Sequence, residues 1–100
     1  MNFNNQISTN KEQSERLLKL GLREDTADLY DGSIFHTNTR PSWSLSGLLS
    51  MCDDTIRFGK DYIVCAMDFE TKTNNGFDGI IDCIEWLISK NMFNKNYLTK

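Results

Sequence analysis

The sequence predicts an α+β fold in which a small antiparallel sheet is packed by about three helices. Three observations carry this. Phe77, Ile80, Ile81, Ile84, Leu87 and Ile88 recur at helical spacing and mark a core helix. Two β-prone runs, 55–58 and 62–69, flank Gly59, Lys60 and Asp61, a short Gly-containing loop that suits a hairpin. Thr9 and Ser44 are placed as helix starts and Gly21 as a helix stop. A chain of 100 residues, 39% hydrophobic and 25% charged, has a globular rather than a disordered profile. It is the size of one domain and buries roughly two-thirds of its unfolded surface. The expected organisation is a flexible lead-in over 1–8, one α+β domain over 9–93 and a polar tail over 94–100.

The first helix is expected over 10–20. Thr9 and Glu12 form a capping box, Leu17, Leu18 and Leu20 give the apolar stripe, and a left-handed Gly21 lets Leu22 fold back on Leu17. Residues 24–28 read as a short helical turn, ahead of the turn at Asp31 and Gly32. The polar stretch to Arg40 reads as a loop holding a short strand at 33–36. Pro41 resets the pattern, and a second helix follows over 44–52 with Ser44 as N-cap, Trp43 stapled on Leu48, and Leu45, Leu48 and Leu49 facing inward. Gly47 inside that helix costs up to about 1 kcal/mol relative to alanine. Either something packs closely on it or the helix is marginal. In the run 62–69 both faces are apolar, so it is expected to be a central strand at least partly covered on both faces. Asn74 or Asn75 caps the last helix, over 77–90.

Charge and cysteine usage narrow the function classes. The net charge of −3 is spread as −1 and −2 over the two halves, with no basic patch of the kind that nucleic-acid binding requires. Lys90, Lys95 and Lys100 read as a solvated terminus. The N-terminal residues lack a basic segment followed by an apolar one, and no apolar run is long enough to span a bilayer. Cys52, Cys65 and Cys83 are odd in number and widely spaced, the pattern of reduced thiols in a cytoplasmic protein.

Candidate chemistry is sparse. A zinc site on the three cysteines and His36 lacks the close ligand pair that structural zinc sites supply, so no metal or other cofactor is expected. A Cys–His nucleophile lacks an activated thiol, because Cys52 stands before Asp53 and Asp54. Asp78, Asp82 and Glu85 share one helical side and read as the solvated face of the last helix. What remains is the segment from Tyr30 to Trp43, with Tyr30, Phe35, His36, Arg40 and Trp43 as candidate contacts for an unidentified protein partner, since aromatic and Arg residues anchor recognition. The alternative for Phe35 and Trp43 is a place in the core. The expected function is therefore a small non-enzymatic interaction module. The rivals are an enzyme or ligand-binding protein with a site around His36, Arg40 and Asp53 or Asp54, and a homo-oligomer burying Trp86 or Met92 and Phe93.

The order of motifs in Glu15–Leu22, Thr26–Asp28, Pro41–Ser46 and Cys83–Ile88 resembles a group of small uncharacterised bacterial proteins, some carried by prophages or other mobile elements. The resemblance spans residues 12–93. It implies a compact α+β fold and carries over no activity and no catalytic residue.

Overall fold

The computed structural model describes residue 3 and residues 6–31, 40–52 and 55–99, with the backbone alone described at 30, 31 and 40. In chain order the elements are α1 (Lys11–Leu20), a 3₁₀ turn (Glu24–Thr26), β1 (Leu29–Asp31), β2 (Arg40–Ser42), α2 (Leu45–Met51), β3 (Ile56–Phe58), β4 (Ile63–Cys65), β5 (Phe69–Thr71), α3 (Gly76–Ser89) and a closing 3₁₀ turn (Lys95–Tyr97). Strands β3, β4 and β5 form an antiparallel sheet in that order, and β1 pairs with β2 in a separate two-stranded ribbon. The fold is thus the expected small α+β arrangement of three helices and an antiparallel sheet.

Each helix end follows from its cap. The α1 box lies one residue later than expected: Asn10 accepts from the Gln13 amide at 2.9 Å, and the Gln13 side chain accepts from the Asn10 amide at 3.0 Å. Thr9 is instead buried, with its hydroxyl 2.8 Å from that of Ser14 and accepting from the Trp43 amide. Gly21 has φ +106°, which an L side chain resists, and the Leu22 and Gly21 amides donate back to the Leu17 and Leu18 carbonyls. Ser44 caps α2 through the Gly47 amide, and Asn75 caps α3 through the Phe77 and Asp78 amides.

The run expected as one strand over 62–69 breaks into two. Ala66 and Met67 both adopt positive φ, 53° and 66°, so the chain reverses and Phe69 returns opposite Cys65. No Gly or Asn signals this turn, which is why it is illegible in the sequence. β4 is central, as expected. Its Ile63 and Cys65 are wholly buried, while Val64 on the other face is only half-buried between Arg57 and Glu70.

The core joins Leu17, Leu22, Trp43, Leu48, Ile63, Phe77, Ile80, Ile81, Ile84 and Leu87, each no more than 1% exposed. The polar side of α3 is not merely a solvated face. Asp78 accepts from the Gln13 side chain at 2.8 Å, and Asp82 accepts from Arg16 at 2.6 Å and from Thr71 at 3.0 Å, so this row fastens α1 and β5 to α3. Both chain ends are engaged as well. Phe3 meets Phe77 and Phe58 edge to face, and Gln6 bridges Gln13 and Asn75. At the other end Arg23 donates to the Tyr97 carbonyl and Leu22 pairs with Leu98, docking part of the expected tail. No helix among the described residues is long and apolar enough to cross a membrane.

Candidate functional site

An open cleft of about 830 Å³ lies between the first 3₁₀ turn, α2 and the closing turn. Arg23, Asp25, Thr26 and Asp28 form one wall, Ser46, Gly47, Ser50 and Met51 the second, and Asn96 and Tyr97 the end. Its wall is held from behind: the buried Trp43 indole donates to the Thr26 hydroxyl at 3.0 Å, and that hydroxyl donates to the Arg23 carbonyl at 2.6 Å.

Asp28 is the joint between the cleft and the ribbon. It lines the cleft, immediately precedes β1, and accepts hydrogen bonds from both the amide and the hydroxyl of Ser44 at the start of α2. A Cβ at Gly47 would stand 3.0 to 3.2 Å from the Asp28 carboxylate. The glycine inside α2 therefore accommodates a close approach, the first of the two readings its sequence position allowed. Partial burial raises the Asp28 carboxyl, but the Ser44 hydroxyl, the Ser44 amide and Asp28's own amide outweigh it and hold the group below the ordinary carboxylate range.

The polar groups of the cleft are largely engaged with one another. Arg23 pairs with Asp25 at 2.9 Å, and Ser50 donates to the Gly47 carbonyl. What the cleft offers is a mixed-charge, hydrogen-bonding surface.

The ribbon rises from this joint. Leu29, Tyr30 and Asp31 stand opposite Ser42, Pro41 and Arg40, so the backbone brings Tyr30 and Arg40 to neighbouring positions across two strands. Phe35 and His36 lie outside the described residues, as do the short strand expected at 33–36 and Asp53 and Asp54. Trp43 belongs to the base: it is 0% exposed and takes the core alternative.

The three cysteines are buried and form no disulfide, and desolvation raises the Cys65 and Cys83 thiols above their ordinary value. Among the described residues no group of three His, Cys, Asp or Glu side chains is placed to hold a metal ion. Of the residues considered for self-association, Phe93 is buried beside Tyr97, Trp86 is half-buried and stacked on Phe69, and Met92 is 52% exposed.

Sequence reasoning did not find the cleft. Its only local signal was Gly47, and nothing in the spacing couples that residue to Asp28 or Tyr97. No family model, curated protein or solved structure matches the chain.

Proposed function

We propose that this protein is a small non-enzymatic interaction module whose partner-binding element is the segment from Tyr30 to Arg40, carried on the β1–β2 ribbon beside the cleft. The observation that supports it most is the shared joint. Asp28 and Ser44 tie the cleft wall to the ribbon's base, and the fully buried Trp43 fixes that base in the core. Aromatic and Arg residues are the usual anchors of recognition, and a base held in the core gives the segment that carries them a defined origin. Three buried cysteines outside any disulfide favour a reducing, cytoplasmic setting.

The test is affinity purification of the tagged protein from its native cells at natural abundance, beside the double variant Tyr30→Ala, Arg40→Ala. The expected result is a stoichiometric protein partner that the variant loses while its melting temperature stays at the wild-type value. Equal recovery of the partner by both proteins would contradict the proposal.

A further inference from the structure

A second groove lies on different elements. Thr71 of β5 reaches Asp82 of α3, and Phe69 of β5 stacks on Trp86, with ring centroids 5.7 Å apart and planes 18° from parallel. Two residues of strand rise about 6.6 Å and four residues of helix about 6.0 Å, so these two contacts set α3 running antiparallel alongside β5. Beside them lies an open trough of about 420 Å³ bordered by Phe69, Asp82, Glu85, Trp86 and Ser89. β5 pairs with β4 on one side only, and among the described residues no strand occupies its other edge. A strand edge beside an aligned helix is the geometry in which an extended peptide adds as a further strand.

The charge identifies the occupant. Both ionisable side chains bordering the trough are acids, while Glu70 alternates to the opposite face of β5 and takes no part. Asp82 already has both oxygens engaged, by Arg16 and Thr71. Glu85 is 56% exposed and lies at the longer distance of 3.6 Å from Arg16. The half-buried Trp86 next to it supplies an indole, the best aromatic surface for a cation. We infer that this trough docks an extended basic peptide segment of a partner protein, which adds to β5 as a fourth strand and lays an arginine or lysine against Trp86 and Glu85. The site uses none of the residues from Tyr30 to Trp43, so it stands or falls apart from the ribbon.

The test is titration of the full chain with three end-blocked probes: an alternating threonine–arginine hexapeptide, its threonine–glutamate counterpart, and arginine amide. Backbone amide and Trp86 indole shifts are the readout. The inference expects the basic hexapeptide to shift Phe69–Thr71 and the Trp86 indole together, and Glu85→Gln, at an exposed position that leaves the fold intact, to weaken it by about fivefold. Three outcomes would overturn it: silence at β5 up to millimolar peptide, equal shifts from the acidic peptide, or shifts confined to the indole with arginine amide doing as well as the hexapeptide.

Discussion

The described residues build two antiparallel sheets from three-residue strands and use them in opposite ways. The β3–β4–β5 meander turns Ile63 and Cys65 onto α3, where both are wholly buried, and its strands are held in place by what they cover. The β1–β2 ribbon buries Pro41 and Ser42 at its base but leaves Leu29 38% exposed, and among the described residues each of its strands pairs only with the other. A two-stranded ribbon is marginal on its own. The difference teaches that pairing alone does not distinguish a structural sheet from a presenting one; the surface each covers does.

The largest test of this contrast is a matched pair of truncations. Ile63→Ala, in the meander, is expected to cost about 2–5 kcal/mol in denaturant unfolding, because it leaves a cavity against α3. Leu29→Ala, in the ribbon, is expected to stay within about 0.5 kcal/mol. Comparable losses from the two would erase the distinction.

Next comes the joint between the regions. Asp28→Ala removes two hydrogen bonds to Ser44 and is expected to cost about 1–2 kcal/mol. The native protein holds the Asp28 carboxyl below its unfolded value near 3.8. Its contribution is therefore present above that pH and is lost as the pH falls through the lower, folded value. Wild-type stability should drop more steeply than that of Asp28→Asn in this acid window, as urea midpoints across the pH series would record. Parallel profiles would remove Asp28 from the account.

The smallest effect lies within the meander. Replacing Ala66 by Asn and Met67 by Gly relieves two left-handed residues and is expected to add about 1 kcal/mol to stability, read from the melting temperature. Hydrogen exchange in the ribbon should not change.

What the sequence disclosed follows the same division. The apolar side of α3 was legible because Phe77, Ile80, Ile84 and Leu87 have no alternative to burial, and their period states the element. The polar side was not, since Asp78 and Asp82 look like any solvated carboxylates until Gln13 and Arg16 arrive from more than sixty residues away. Trp43 had two readings, anchor or core, and only its 0% exposure chooses between them. The third strand was hidden by a turn built from Ala66 and Met67 without turn residues. The ribbon was hidden because Pro41 and the polar neighbours of Arg40 carry no strand period. The cleft was hidden because its walls come from three separate stretches of chain. A local pattern reports what a residue avoids, such as water, far better than which partner it finds.

The most direct test of the division between body and presenting ribbon is native-state hydrogen exchange across added denaturant, comparing the amides of Leu29–Asp31, Arg40 and Ser42 with those of Ile63–Cys65. The account predicts that the meander amides exchange only through global unfolding, while the ribbon amides open at much lower free energy with little denaturant dependence. Ribbon amides protected to the level of Ile63 and Cys65 would show a single cooperative body and contradict it.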